Sequence, residues 1–364
     1  MTRIFLVDDS AFVRRALTRV LATEPGFRVV GEAASGEEAI AKIPRADPDF
    51  VTLDVGLPGM DGLAVLQALL RWKPSLKIVM LSAHTQAGAA ATVAALAGGA
   101  VDVIDKTRFS VMDLDVLRRE VVDRLNALAS TTSTRPDAGV VSRKTTDALA
   151  AAAEEIRRCE LCVIGASTGG PAAVQHLLQV LPARFPMPVV VVQHMPEGFT
   201  APFAQRLDSL CRLQVEEAVE GDQLRLGRVV IAKAGRHLRV GTNLALTLSP
   251  EPHDAKHTPS VDVTMRSAAR ARPGRVLGIL LTGMGEDGAD GMCAIRSAGG
   301  LTIAESEASC VVYGMPRAAV RRGGVTWELP LPEIGGLLAG LEPHPPHAAE
   351  LPDLRRRTAQ PDMF

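Results

Sequence analysis

The sequence has almost no net charge. Its 364 residues carry 40 lysines and arginines against 41 aspartates and glutamates, a balance of −1. That excludes the broad basic field that nucleic acid or an anionic membrane surface calls for, so no nucleic-acid partner is expected. Long apolar runs are missing too. None reaches the ~18 uninterrupted residues of a bilayer span, and no direct membrane insertion is expected. The start, Met1-Thr2-Arg3-Ile4-Phe5-Leu6-Val7-Asp8-Asp9, places acids where an apolar secretory core would continue, so a cytoplasmic location is expected. Cysteine is scarce. Five residues (Cys159, Cys162, Cys211, Cys293, Cys310) are an odd number in a long chain and read as free thiols rather than a disulfide framework. Cys159 and Cys162 form a Cys-x-x-Cys without a second pair, a weak basis for a metal or redox site. Neither half contains an internal repeat.

What is present suits two domains, because the chain is too long for one typical core. The first ~125 residues alternate short apolar runs with helical patterns. The strands are Ile4 to Val7, Arg28 to Ala33, Phe50 to Leu53, Lys77 to Leu81 and Val101 to Ile104. Five strand–helix repeats argue for a doubly wound parallel sheet in an α/β domain. A small, polar stretch beginning near Ser130 reads as linker. A second α/β block follows, with apolar strands at Leu161 to Ile164, Val189 to Gln193, Val229 to Lys233, Val276 to Thr282 and Gly300 to Ala304. The expected division is a first domain at 1–125, a linker at 126–158, a second doubly wound domain at 159–342 and a tail at 343–364.

In doubly wound sheets, sites form beyond the carboxyl ends of the strands. In the first domain Asp8 and Asp9 follow the first strand, Asp54 the third, Ser82 the fourth and Lys106 the fifth. Three carboxylates at one edge repel one another unless a hard divalent cation joins them. Mg²⁺ takes oxygen ligands and keeps positions open for phosphate oxygens. Lys106 adds a positive charge for the same anion and Ser82 a hydroxyl donor. Asp54 is then the natural nucleophile toward a phosphoryl donor. Each residue alone reads as a solvated turn or surface charge; five at successive strand ends do not.

This pattern resembles the receiver domain of two-component response regulators, with a flavodoxin-like fold. The loop Leu53-Asp54-Val55-Gly56-Leu57-Pro58-Gly59-Met60-Asp61-Gly62 carries the likeness most closely. The resemblance implies that Asp54 is phosphorylated, that Asp8 and Asp9 hold Mg²⁺ together with the Gly56 carbonyl, and that Ser82 and Lys106 contact the phosphoryl group. It also implies a histidine kinase as phosphodonor.

The second block carries a different chemistry. Ser167 sits in Gly165-Ala166-Ser167-Thr168-Gly169-Gly170-Pro171, between an apolar strand and a helical pattern. A hydroxyl on such a turn is exposed beside backbone N–H groups and a helix N-terminus, where developing negative charge is stabilised. Ser167 stands where a dinucleotide fingerprint needs its second glycine, and no acid follows on a later strand, so a nucleotide site is disfavoured. A serine nucleophile needs a base, and the base an orienting acid. His194 ends the strand Val189 to Gln193 and is the best-placed histidine; His237 is a secondary candidate. His253 and His257, four residues apart, could suggest a metal, but Pro252 and Pro259 argue for a loop and no third ligand is evident. The orienting acid is Glu286 or Asp287, in the glycine-rich turn Leu281-Thr282-Gly283-Met284-Gly285-Glu286-Asp287-Gly288. Backbone N–H groups of that turn would serve as an oxyanion hole.

The order Ser…His…Asp, with Gln193-His194-Met195-Pro196 and His257-Thr258-Pro259-Ser260-Val261-Asp262-Val263, resembles the chemotaxis protein-glutamate methylesterases, the CheB family. The likeness covers both domains and implies a Rossmann-like methylesterase domain behind the receiver. It implies Ser167 as nucleophile, His194 as base, Asp287 as orienting acid and the Met284 N–H as oxyanion donor, with no cofactor for the ester chemistry. The implied substrates are glutamate methyl esters, and selected glutamines, on methyl-accepting chemoreceptor helices. A receiver tethered by ~30 residues can pack over the esterase mouth. Two competing readings are a response regulator with a non-enzymatic binding output and a serine esterase for a small-molecule ester. The first calls for a basic recognition helix, which is not evident after residue 160.

Overall fold

A computed structural model describes residues 1–82, 86–106, 118–129 and 151–341. The expected linker falls largely outside these residues and the expected tail wholly so.

The first sheet contains β1 (Thr2–Val7), β2 (Phe27–Ala33), β3 (Phe50–Asp54), β4 (Lys77–Ser82) and β5 (Asp102–Asp105). They are all parallel, in the order β2-β1-β3-β4-β5. The helices α1 (Ala11–Ala22), α2 (Gly36–Ala46), α3 (Gly62–Trp72) and α4 (Gln86–Ala97) connect them. Three of the helices start where a short polar side chain accepts an otherwise unpaired N–H: Ser10 from Val13, Ser35 from Glu38 and Asp61 from Ala64. Each such cap contributes about 1 kcal/mol. After β5 the chain is described again from residue 118 onward, as a π-turn (Arg119–Asp123) running into α5 (Arg124–Ala129).

A helical segment at 151–156 leads into the second sheet. Its strands are β6 (Leu161–Ala166), β7 (Val189–Gln193), β8 (Gln214–Glu217), β9 (Arg228–Ile231), β12 (Val276–Leu280), β13 (Leu301–Glu305) and β14 (Trp327–Leu329). They too are all parallel, ordered β14-β13-β12-β6-β7-β9-β8. The central strands β6, β7 and β12 are buried along their whole length, which is why they read as unbroken apolar runs rather than alternating patterns. Edge strands β8 and β14 are short and partly exposed and have no such signature in the sequence. The antiparallel hairpin β10 (His237–Val240) and β11 (Leu246–Ser249) was likewise not anticipated.

The helices of this half are α6 (Gly170–Val180), α7 (Thr200–Leu210), α8 (Val261–Ala271), α9 (Ala289–Ser297), α10 (Met315–Arg321) and α11 (Leu331–Ala339). Gly165 lets α8 come close to β6: a Cβ there would stand 2.3 Å from Val261 Cγ1. The start of α8 is thereby pressed against the sheet beside the Ser167 turn.

The two sheets share one continuous apolar cluster. α4 packs against α6 and α7, and Ala89, Val93 and Leu96 belong to the same buried cluster as Val174 and Phe203. On the opposite side Val311 and Val312 join the cluster that contains Ile104.

Candidate active site and phosphoacceptor site

Each sheet has a point where the strand order reverses, and each candidate site lies at one. In the first sheet this is between β1 and β3. Asp8, fully buried, follows β1, and Asp54, 4% exposed, ends β3. Lys106 Nζ lies 2.8 Å from Asp8 Oδ2 and 2.8 Å from Asp54 Oδ2. Burial raises the Asp8 pKa, and the neighbouring Asp54 adds to this against the pull of Lys106. Asp9 is exposed, and one ligand atom from each of Asp8, Asp9 and Asp54 falls within 4.8 Å of the others. One ammonium facing three carboxylates leaves an excess of negative charge on oxygen, the donor set a hard divalent cation needs. Ser82 ends β4 and is buried; its Oγ accepts from Thr92 Oγ1 at 2.9 Å.

The second reversal falls between β6 and β12. Ser167 follows β6, and Asp287 lies in the turn after β12. His194 follows the neighbouring β7, tied back by its N–H to Ala166 O at 3.0 Å. Gln193 Nε2 donates to Ser167 O (2.9 Å) and His194 O (3.0 Å), joining the two turns.

His194 Nε2 lies 2.8 Å from Asp287 Oδ2. An ionised carboxylate only accepts, so Nε2 carries the proton. Nδ1 is buried and has no hydrogen-bond partner, which leaves it as the basic nitrogen. The two ring nitrogens thus exchange the duties they have in the familiar serine-protease triad. Ser167 and His194 line one cavity of about 240 Å³.

Asp287 is anchored at the start of α8. Ser260 Oγ donates to Oδ1 (2.8 Å), the Val261 N–H to Oδ2 (2.7 Å) and the Asp262 N–H to Oδ1 (3.0 Å). Burial alone would raise its pKa, but the bond to His194 and the backbone N–H groups hold it well below the usual carboxylate range. A carboxylate at a helix N-terminus gains from the dipole as well. Glu286, the other acid considered for this role, pairs instead with Arg322.

Gly283 is pressed against the nucleophile turn: a Cβ on it would stand 2.8 Å from Ser167 Cβ. The next N–H, that of Met284, has no acceptor among the described residues. His237, the secondary candidate base, is fully buried away from this cavity. Its Nδ1 accepts from the Ser260 N–H at 3.2 Å and its Nε2 meets Pro252 O at 3.1 Å, so it braces the loop that carries Ser260. The five cysteines are free, and burial raises the pKa of both Cys159 and Cys162.

Several neighbours of the site make contacts that the sequence pattern does not predict. The His257 ring stacks on His194, with centroids 4.1 Å apart and planes 18° from parallel. The first half of the chain supplies the opposite wall of the cavity, with Asp102, Val103, Asp105 and Arg124. Thr168 Oγ1, one residue past Ser167, donates to Asp102 Oδ2 at 2.8 Å. The Gly169 N–H donates to Val101 O at 3.0 Å. Arg124 Nη1 lies 2.9 Å from Asp102 Oδ2.

Comparison with known proteins bears on both halves. Residues 4–115 match the response regulator receiver domain model, and residues 162–338 match the CheB methylesterase model. A protein-glutamate methylesterase/protein-glutamine glutaminase of Symbiobacterium thermophilum is 43% identical over 347 residues, covering 91% of this chain and 94% of its own. One from Myxococcus xanthus is 42% identical, covering 94% of this chain and 97% of its own. One from Lawsonia intracellularis is 40% identical, with coverages of 89% and 94%. With a receiver sheet and a methylesterase sheet matched along nearly its whole length, the chain belongs to the CheB family of protein-glutamate methylesterase/protein-glutamine glutaminases.

Proposed function

We propose that this chain removes methyl groups from glutamate side chains of chemoreceptors through Ser167, His194 and Asp287. The observation that carries the reading is the Asp287–His194 pair, set beside Ser167 at the reversal point of the second sheet. Ser167 Oγ attacks the ester carbonyl carbon while His194 Nδ1 takes its proton. Asp287 holds the Nε2–H and balances the imidazolium that forms. The Met284 N–H faces the oxyanion of the tetrahedral intermediate. His194 then gives its proton to the departing methoxide, releasing methanol. Water, deprotonated by the same nitrogen, hydrolyses the glutamyl ester to leave the free carboxylate. A glutamine side chain follows the same course with ammonia as leaving group.

The receiver unit, taken as residues 1–125, is joined through 126–158 to the methylesterase unit at 159–342. Asp54 accepts a phosphoryl group from a histidine kinase. Asp8, Asp9 and Asp54 would hold Mg²⁺, with the Gly56 carbonyl, and Ser82 and Lys106 would contact the phosphoryl oxygens. The cation supplies charge neutralisation there. Asp102 and Val101 engage the residues just after Ser167, which supports a receiver that holds the esterase closed. β5 begins at Asp102 and leads directly into Lys106, so a new partner for Lys106 strains the strand that touches Thr168.

The test is methanol release from methylated receptor by the full chain, with and without a phosphodonor. Ser167→Ala should abolish release while the protein stays folded. Wild-type turnover by that variant would refute the assignment. A chain that hydrolyses small esters but ignores receptor would point to the small-molecule esterase instead.

A further inference from the structure

We propose that His257 is a positioning residue for this reaction: its ring lies on the face of His194 and fixes that imidazole, with Nε2 on Asp287 and Nδ1 free for Ser167. The inference rests on the reading of Ser167, His194 and Asp287 as the reacting set.

The hydrogen bond to Asp287 fixes one atom of the His194 ring. It does not fix the plane, because the ring can still rock about that contact. A flat neighbour at 4.1 Å and 18° removes that freedom, since tilting either ring would drive it into the other. No hydrogen bond to the His257 ring nitrogens occurs among the described residues, so nothing orients this histidine as an acid or base; what it offers is its face.

The position of His257 in the chain supports the same role. Ser260 Oγ and the Val261 N–H grip Asp287, and His257 lies three residues before Ser260. A single short segment therefore locates both the acid and the ring it orients. His257 also lines the cavity that contains Ser167, so the stack is beside the reacting atoms.

The ring is held in its neutral form, which suits a partner that must tolerate a charged His194 during turnover. Desolvation by the cleft walls is the largest cause, and His194 beside it adds to this, with the pKa pushed down to about 4 although the outer edge of His257 is open to solvent. Arg124 and Lys256 act in the same direction, while Asp287 opposes them. A neutral ring against an imidazolium is attractive; a second cation there would repel it.

The experiment uses the full chain with excess phosphodonor, methylated receptor as substrate and Ser167→Ala as the blank. His257→Ala should lower kcat by about 10- to 100-fold with little change in KM, the scale expected when a reacting group is misplaced. His257→Phe, which keeps a flat ring and discards the nitrogens, should recover most of the loss. Nitrogen-15 spectra of the imidazoles should show a single protonated Nε2 for His194 in the wild type and in His257→Phe, and averaged tautomers in His257→Ala. If His257→Ala melts early, His257→Gln replaces it, keeping bulk and polarity without the ring. Wild-type kcat in the ring-free variant would overturn the proposal. So would a folded His257→Phe as slow as His257→Ala, since the nitrogens would then be the working groups. Release of methanol by the Ser167→Ala blank would instead overturn the reading of the site itself.

Discussion

Replacing Asp102 by alanine should release the esterase without any phosphodonor. Asp102 is 8% exposed and its Oδ2 accepts from Thr168 Oγ1 at 2.8 Å, across the junction of the two halves. A buried hydrogen bond to a charged group is worth roughly 1.5–3 kcal/mol net. Its other partners, Arg124 and the Val103 N–H, belong to the same half, so losing them affects the docked and undocked receiver alike and largely cancels. The Thr168 bond exists only when docked. Losing it shifts the docking equilibrium by about 10- to 150-fold toward the open form. While the open form is a minority, the basal rate rises by the same factor, and it levels off at the rate of the phosphorylated wild type. Asp102→Asn keeps an acceptor without the charge and should give a smaller gain. The assay is methanol release from methylated receptor, with and without phosphodonor. A folded Asp102→Ala protein with an unchanged basal rate and normal stimulation would refute the idea that this bond helps hold the receiver closed.

Three other outcomes follow from the same geometry. Chelating divalent cations should abolish stimulation by a phosphodonor yet leave basal ester hydrolysis intact, because the carboxylate cluster and the serine site are separate; loss of basal activity on chelation would contradict this. Gly283→Ala should cut kcat by about 100-fold and destabilise the fold by about 1–3 kcal/mol, since the new methyl would stand 2.3 Å from Met315 Sδ and 2.8 Å from Ser167 Cβ; kinetics and thermal melts on one preparation check both. Asp287 has a folded-state pKa below its unfolded value, so the stability it contributes is complete above about pH 4 and is lost as pH falls toward the folded value. Acid-unfolding curves of Asp287→Asn should therefore be flatter below about pH 4 than those of the wild type.

The sites were legible because their chemistry is local to strand ends. Asp54, Ser167, His194 and Asp287 each follow a buried strand whose apolar run is plain in the sequence, and parallel sheets bring such ends to one edge. The edge strands β8 and β14 and the hairpin β10–β11 were missed because they are short and part-exposed, so they carry no continuous apolar run. The stacking of His257 on His194 is illegible for a different reason. The flanking prolines argue for a loop and against a metal site, but the loop brings the His257 ring to a histidine 63 positions earlier, a pairing that no periodicity encodes. The choice between Glu286 and Asp287 also lies beyond local pattern: both are acids in one turn, and only the start of α8 and Arg322 tell them apart.

The contact between the halves is the least legible part, and its energetics bear on the proposed switch. Thr168 and Asp102 are 66 positions apart, and neither looks unusual in its own segment. Moving a receiver from about 99% docked to about 99% free takes a differential of about 5.5 kcal/mol between its two states. The Asp102–Thr168 bond supplies at most about half of that. The remainder has to come from the Gly169 N–H bond to Val101 O and from the packing of α4 on α6 and α7 and of Val311 and Val312 near Ile104. Lys106, which now bridges Asp8 and Asp54, sits at the end of the strand that begins with Asp102. On the proposed reading, a phosphoryl group on Asp54 would give that ammonium a stronger partner and pull on the strand that touches Thr168. A variant of the hydrogen bond alone should therefore raise the basal rate and still leave a response to phosphorylation.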